Sequence, residues 1–252
     1  MAKPVTALLA SYPRVRPPLS PEHRALYVEH HRANRLGASP LQAMALRLES
    51  WMHRQVSAGW PSRTDSILEI GAGTLNHVAY EPACRHYDVV EPFEALYADS
   101  PQRSRVAAIY ADIRDVPPQN RYGRVLSVAV LEHLTDLPAV VARGGLLMAP
   151  GGMFQAAIPS EGGFLWGATW RCTTGVVFRL RTGLDYASLM RHEHVNDAGE
   201  ILETLHHFFS FVRVRRFPLS LHHLSLYTYV EATEPRTEAC AAFVHAVEAE
   251  RR

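Results

Sequence analysis

The chain has 252 residues, of which 47% are hydrophobic, so it can bury a substantial core and is not an intrinsically disordered protein. Its 26 Lys and Arg nearly balance 25 Asp and Glu, for a formal net charge of +1. A nearly neutral chain lacks the basic field that attracts nucleic acid without sequence preference, so we expect no nucleic-acid substrate.

Cysteine usage and hydropathy point to a cytoplasmic protein. The three cysteines have no CxxC spacing and predict neither a disulfide framework nor a zinc site. Pairs of adjacent histidines stand at 30–31, 206–207 and 222–223. The side chains of adjacent residues diverge too far to bind one metal ion together, so no metal is expected. No apolar stretch approaches membrane-spanning length, and the run 5–10 lacks the form of a secretory signal.

Residues 1–62 are predicted to form an arm and helices that pack on the core. Prolines oppose regular structure near the start, and Ser20-Pro21 then predicts a helix that extends to about residue 36. A second helix is predicted from residue 39, where apolar residues recur at helical spacing. Tyr27 or Arg35 on this extension is a candidate for a group that reaches a ligand.

Residues 63–252 alternate short apolar runs with helical or turn segments, which predicts parallel strands joined by right-handed crossovers. The five predicted buried strands are 67–70, 87–90, 106–110, 124–129 and 153–158. A final strand pair, 208–217 and 224–231, and a closing helix at 234–252 complete the domain. The predicted fold is α/β, with a Rossmann-like, seven-stranded, mostly parallel sheet and helices on both of its faces. An N-terminal helical extension and a helical or lid insertion after strand five are predicted to accompany it.

An insertion at about 161–191 separates the fifth strand from the final pair. It combines small residues and aromatics with Arg171, Arg179 and Arg181. This composition fits a lid or pocket wall over a substrate, a contact with a membrane surface and a lipid-linked substrate, or a packing element between helices.

Ligand-compatible groups end three consecutive predicted strands. The first strand leads into Gly71 and Gly73, which let the backbone bend sharply and approach a ligand. Glu91 ends the second strand, where a carboxylate can accept from two ribose hydroxyls, and Asp112 ends the third, where it can accept from an adenine amino group. Each signal alone also fits a tight turn or a solvated strand end. Asn76 stands where a nicotinamide fingerprint needs a small residue, which weakens a dehydrogenase interpretation.

The ordered motifs resemble those of the class I S-adenosylmethionine-dependent methyltransferases, especially the type 11 group, over residues 66–231. Residues 67–73 resemble that family's first motif, 128–136 its segment after strand four, and 149–152 its turn into strand five. Two departures are Leu75 in place of the usual third glycine and a short first crossover, with Pro82 nine residues beyond Gly73.

The resemblance implies S-adenosyl-L-methionine as cofactor, S-adenosyl-L-homocysteine as product, and methyl transfer to a small-molecule or sugar acceptor. O-methylation in glycan or natural-product biosynthesis is the expected reaction. The implied cofactor-binding residues are Glu69, Gly71, Gly73, Asn76, Glu91, Asp112, Ile113 and Val128.

A hydroxyl acceptor requires a base, and the resemblance makes His133, His192 and His194 the candidates. Each histidine also fits a packing or helix-entry role, and Glu161 is an alternative base. A nicotinamide-dependent oxidoreductase and a catalytically silent cofactor-binding partner protein remain alternative functions, and a homodimer remains open.

Overall fold

A computed structural model describes residues 5–26, 50–58 and 66–250 of the chain. Its sheet has seven strands in the order β3-β2-β1-β4-β5-β7-β6. The strands are β1 (Ser66–Ile70), β2 (His86–Val90), β3 (Ala108–Tyr110), β4 (Tyr122–Val128), β5 (Met148–Pro159), β6 (Phe209–Pro218) and β7 (Ser225–Pro235). Strands β1 to β5 pair in parallel, whereas β7 lies antiparallel between β5 and β6. The predicted fold class is confirmed.

Eight α-helices can be bounded at both ends within the described residues. They are α1 (Val5–Leu9), α2 (Glu94–Tyr97), α3 (Leu137–Leu146), α4 (Phe164–Trp170), α5 (Val176–Thr182), α6 (Tyr186–Glu193), α7 (Ala198–Phe208) and α8 (Thr237–Glu250). Residues 21–26 and 50–58 are also helical.

The two faces of the sheet are covered by different elements, which explains why the central strands are apolar on both sides. On one face, α3, α7 and α8 pack over buried side chains of β4 and β5 such as Val125 and Phe154. On the other face, Met52 and Val56 of the helical segment 50–58 pack with Ile67 of β1. The predicted helices on both faces are therefore present.

The N-terminal region differs from its prediction. Residues 5–9 form a helix, where an irregular arm was expected, because Leu8 and Leu9 are buried against the domain. Most of the predicted helix 20–36, the start of the next helix, and both Tyr27 and Arg35 lie outside the described residues. The division of the chain at residue 62 stays a prediction.

The first crossover is shorter than an α-helical one. Between β1 and β2 the chain forms only a 3-10 helix, His77–Ala79, and every residue of this connection is described. Pro82 follows three residues later and limits the length available for a helix. The third predicted strand is also shorter than expected, and the fifth begins earlier, at Met148.

The insertion after β5 is helical, as predicted. Helix α4 continues through a π-helical turn, Arg171–Gly175, into α5, and Gly183 ends it in a left-handed conformation at φ +74°. Asp185 then caps α6 through a bond from the amide of Ala187. No helix of the described residues is long and apolar enough to cross a membrane.

Candidate active site

A cavity of about 620 Å³ opens at the carboxyl ends of β1 to β4. This is where ligands bind in open sheets of this kind, and the volume is in the range of small-molecule sites. All eight residues predicted to bind the cofactor line it, namely Glu69, Gly71, Gly73, Asn76, Glu91, Asp112, Ile113 and Val128. The structure therefore brings the whole predicted set together around one space.

The turn after β1 has a left-handed backbone conformation that favours glycine. Gly71 has a φ of +75°, and a Cβ added there would lie 2.4 Å from Cγ1 of Val130. Gly73 has a φ of +52° but no atom within 4 Å of an added Cβ. Leu75, in place of the family's third glycine, adopts a φ of +65° and is fully buried. The turn thus keeps its left-handed geometry at that position despite the leucine, and burial of the side chain offsets the strain.

Glu91 holds the turn against the end of β2. Its Oε2 accepts a bond of 2.8 Å from the amide of Gly73, and its Oε1 accepts one of 3.0 Å from the amide of Phe93. A carboxylate offers about four acceptor positions, so both oxygens keep capacity for further donors such as a pair of ribose hydroxyls. The side chain is buried and therefore fixed in direction.

Asp112 caps the 3-10 helix that follows β3. Its Oδ1 accepts from the amide of Arg114, and the guanidinium of Arg114 bonds both carboxylate oxygens at 2.8 and 2.7 Å. These bonds from Arg114 lower the pKa of Asp112, so the carboxylate stays ionised. Ile113 beside it is buried and provides an apolar surface at the cavity wall.

Glu69, near the end of β1, also lines the cavity. Burial raises the pKa of its carboxyl group, and the hydroxyl of Tyr87 donates to its Oε2 across 2.7 Å. The side chain is therefore held in one position rather than solvated.

A buried network of polar side chains, which was not predicted from the sequence, adjoins the cavity. His53 Nδ1 lies 3.1 Å from His77 Nδ1, and His77 Nε2 lies 2.9 Å from Glu81 Oε1. Arg124 then donates to both oxygens of Glu81, at 2.6 and 3.0 Å. Burial alone would raise the pKa of Glu81, but the bonds from His77 and Arg124 outweigh it and lower that pKa. Since His53 and His77 line the cavity, this network forms part of its wall.

His133 borders the cavity from the loop after β4. Its Nδ1 lies 2.9 Å from the carbonyl of Glu193, and a carbonyl only accepts, so Nδ1 carries the proton. The basic lone pair of the neutral ring is therefore on Nε2, which lies 3.8 Å from Glu132 Oε1.

Glu132 is buried beside His133. Burial raises the pKa of its carboxyl group to about 7, and its Oε2 has no hydrogen-bond partner among the described residues. A carboxyl group poised near neutrality next to an imidazole can stabilise a proton on that ring.

His194 lies close to His133 but is held by the insertion. The two rings meet edge to face, with centroids 4.8 Å apart. His194 Nδ1 lies 2.9 Å from Glu161 Oε2, which also accepts from the indole of Trp166. The Trp166 ring in turn contacts Tyr227 with centroids 5.7 Å apart. The aromatics of the insertion were expected to form a lid or pocket wall, but neither Trp166 nor Tyr227 is among the described residues that line the 620 Å³ cavity. The contact with Tyr227 was not predicted, because β7 is distant from the insertion in sequence.

His192 has a different environment from the other two candidates. Its Nδ1 lies 2.7 Å from the carbonyl of Pro17. Of the three candidates only His133 is among the described residues that line the cavity, whereas His194 contacts the ring of His133 and His192 does not. The N-terminal arm reinforces this contact, because Arg16 donates to the carbonyls of His192 and His133, each at 2.8 Å. The geometry thus groups His133 with His194 and assigns His192 to an arm contact. Its role as a base stays a prediction.

No three His, Cys, Asp or Glu side chains within residues 5–26, 50–58 and 66–250 lie close enough together to hold a metal ion.

The overall architecture is shared with solved methyltransferases. A SAM-dependent methyltransferase from Thermotoga maritima matches 84% of this chain and 98% of its own, with a TM-score of 0.55 and 13% identity. An O-methyltransferase family protein from Burkholderia thailandensis matches 91% of this chain and 68% of its own, with a TM-score of 0.53 and 13% identity. The N-methyltransferase NodS from Bradyrhizobium japonicum, in complex with S-adenosyl-L-homocysteine, matches 79% and 91%, with a TM-score of 0.51 and 16% identity.

The chain has the fold of the class I S-adenosylmethionine-dependent methyltransferases. No protein-family model matches the sequence, and no curated protein matches it either. The likeness to a methyltransferase is therefore carried by the fold and by the cavity at the carboxyl edge of its sheet.

Proposed function

We propose that the protein is an S-adenosylmethionine-dependent methyltransferase that acts on a hydroxyl of a small-molecule or sugar acceptor. The observation that carries the proposal is the position of Glu91. Its carboxylate is bonded to the amide of Gly73 and lines the 620 Å³ cavity at the carboxyl edge of a methyltransferase fold. That is where a ribose must lie if the glycine turn is to approach the cofactor closely.

The cavity residues fit the parts of this cofactor. Glu91 would accept from the ribose hydroxyls, and Asp112 would accept from the adenine amino group through the capacity that Arg114 leaves on Oδ2. Ile113 and Val128 would pack on the apolar parts of the cofactor, and the carboxyl group of Glu69, which also lines the cavity, would accept hydrogen bonds from its ammonium group. When bound, the cofactor supplies a methyl group on a sulfonium with its leaving group attached.

The dinucleotide alternative is disfavoured by the first crossover. A nicotinamide cofactor places its pyrophosphate on the N-terminus of an α-helix after the glycine turn. The described connection from Gly71 to Arg85 contains only the 3-10 helix 77–79. Asn76 also precedes that helix without capping it through its side chain.

His133 is the base that the geometry favours for a hydroxyl acceptor. It lines the cavity, its Nδ1 proton is fixed by the carbonyl of Glu193, and its Nε2 is left to accept a proton. Glu132 at 3.8 Å from Nε2 would stabilise the imidazolium that results. Trp166, which is half-buried beside His194, would provide an aromatic face of the kind that stacks on sugars.

The experiment is a transfer assay with methyl-labelled S-adenosylmethionine and a panel of sugars, nucleotide sugars and phenolic or hydroxylated metabolites. The proposal predicts a labelled product and S-adenosyl-L-homocysteine with at least one hydroxylated acceptor. Binding of the cofactor without turnover on any acceptor would favour a catalytically silent partner protein. Label on nitrogen or carbon would retain the cofactor assignment and remove the O-methylation.

A further inference from the structure

The outer side of the insertion exposes large apolar side chains. Leu180 on α5 is 82% exposed, and Phe164 at the start of α4 is 73% exposed. Leu221 is 63% exposed and lies in the segment 216–224, which comprises the end of β6 and the connection to β7. Val176, Val177 and Leu180 recur at helical spacing and so lie on one side of α5. Large apolar groups concentrated in this way mark interaction surfaces.

The segment 216–224 adjoins the helical part of this surface. Helix α4 packs on the 3-10 helix His222–Leu224, and a Cβ added to Gly163 would lie 2.8 Å from the carbonyl of His222. Leu219, Leu221 and Leu224 of the segment are exposed. We call the residues 164–182 and 216–224 the apolar-basic surface.

The charge on this surface has one sign. Residues 162–183 and 216–224 contain no Asp or Glu, although the whole chain has a net charge of only +1. Arg171, Arg179 and Arg181 are all exposed there. On α5, Arg179 and Arg181 lie on either flank of the apolar side. Their aliphatic stems can lie along an apolar phase while the guanidinium groups stay at its polar boundary.

We propose that the apolar-basic surface docks on an anionic lipid bilayer. Exposed leucines and phenylalanine fit the boundary between headgroups and acyl chains, and the flanking arginines fit anionic headgroups. A nucleic acid would match the arginines but leave the apolar side chains without a partner. A second copy of this chain in a two-fold dimer would set these arginines against one another, because such an interface is self-complementary.

The side of α4 that carries Trp166 faces the candidate active site. Trp166 of α4 contacts His194 with ring centroids 6.5 Å apart, and its indole donates to Glu161. Docking would therefore place the cluster of His133 and His194 close to the lipid surface. This placement would suit a lipid-linked acceptor, a consequence that rests on the proposed function, whereas the docking itself does not.

The test is co-sedimentation of the full chain with vesicles of phosphatidylcholine containing phosphatidylglycerol, against vesicles of phosphatidylcholine alone. We expect binding to the anionic vesicles that is lost in about 1 M NaCl, where the Debye length is about 3 Å. Leu180→Asp should lower the partition coefficient about tenfold or more. Arg179→Gln and Arg181→Gln should each lower it about fivefold.

Phe211→Asp is the matched control, because Phe211 is 61% exposed but lies near the start of β6, at the opposite end of the strand from the segment 216–224. It should bind vesicles like the wild type. Far-UV circular dichroism and binding of S-adenosyl-L-homocysteine, measured without lipid, confirm that each variant is folded. If neither the wild type nor any variant binds S-adenosyl-L-homocysteine, the proposed function is contradicted. The vesicle experiment still tests the docking proposal in that case, because docking does not depend on the cofactor.

Three results would overturn the docking proposal. The first is no binding of the wild type to anionic vesicles. The second is binding that Leu180→Asp and Phe211→Asp reduce equally, which would mean that another surface is responsible. The third is lipid-independent dimerisation, or retention by an oligonucleotide, that Leu180→Asp abolishes, since a second copy or a nucleic acid would then be the occupant.

Discussion

The amide of Gly73 donates to Oε2 of Glu91 across 2.8 Å and so joins the turn after β1 to the end of β2. The carboxylate thereby fixes the floor of the cavity and still has capacity to accept from a ligand. One side chain thus combines a structural bond with the proposed binding of a ribose. Substitutions that separate these two contributions are therefore informative.

Gly71→Ala should destabilise the protein by about 2–4 kcal/mol, because the new Cβ meets Val130 and the backbone is left-handed. Gly151→Ala is the matched control, since Gly151 has a φ of +72° but open space around an added Cβ. It should cost only about 1–2 kcal/mol. Urea unfolding measures both, and equal losses would mean that Val130 yields to the added methyl group.

His133→Ala should reduce kcat about a hundredfold to ten-thousandfold for a hydroxyl acceptor, because it removes the proposed base. His192→Ala should retain near-normal turnover, because His192 bonds the carbonyl of Pro17 outside the cavity lining. Both are measured at saturating cofactor. An equal loss in the two variants would contradict the assignment, and a parallel loss of cofactor affinity in His133→Ala would make that residue part of the cofactor site.

Glu132 should make the stability of the protein depend on pH. Its pKa is raised from 4.5 to about 7 by burial, so the folded state binds its proton more tightly than the unfolded state. The stabilisation is fully present below pH 4.5 and is lost as the pH rises through about 7. Relative to Glu132→Gln, the wild-type free energy of unfolding should fall by about 3 kcal/mol between pH 4.5 and 8.

Urea unfolding of both proteins at a series of pH values measures this difference. A difference that does not change with pH would show that Glu132 is ionised throughout. In that case the carboxylate would stabilise a proton on His133 over the whole range.

The sequence predicted the parts of the fold that depend on local patterns. The apolar run 67–70 is buried on both sides of β1, as parallel strands covered by helices must be. Gly71, Glu91 and Asp112 follow successive strands, so the topology alone brings them to one edge. The residues that line this edge of the cavity could therefore be predicted from the sequence.

The buried polar network and the contacts of the N-terminal arm depend on pairs of residues that are far apart in sequence. Arg124 meets Glu81 across 43 positions, and Arg16 meets the carbonyl of His133 across 117. Neither the periodicity of apolar residues nor the spacing of a motif predicts contacts between residues so far apart. The spacing of His77 and Glu81 at i and i+4 was the single local signal for the buried polar network, and it gained meaning only with His53 and Arg124 beside it.

The histidines show the same limit. In the sequence His192 and His194 are equivalent candidates two positions apart. In the structure the C-terminus of α6 turns between them, so that His192 contacts Pro17 and His194 contacts Glu161. Only the path of the backbone distinguishes His192, which contacts the arm, from His194, which contacts His133.

The most direct test of the central claim is isothermal titration of S-adenosyl-L-homocysteine into the wild type, Glu91→Ala and Glu94→Ala. Glu94 is an exposed carboxylate three residues away that does not line the cavity. Hydrogen bonds to a charged group contribute about 1.5–3 kcal/mol, so Glu91→Ala should bind about tenfold to a hundredfold more weakly, whereas Glu94→Ala should bind like the wild type. NAD should give no heat with any of the three. Tight binding of NAD with no response to S-adenosyl-L-homocysteine, or unchanged affinity in a folded Glu91→Ala variant, would contradict the account.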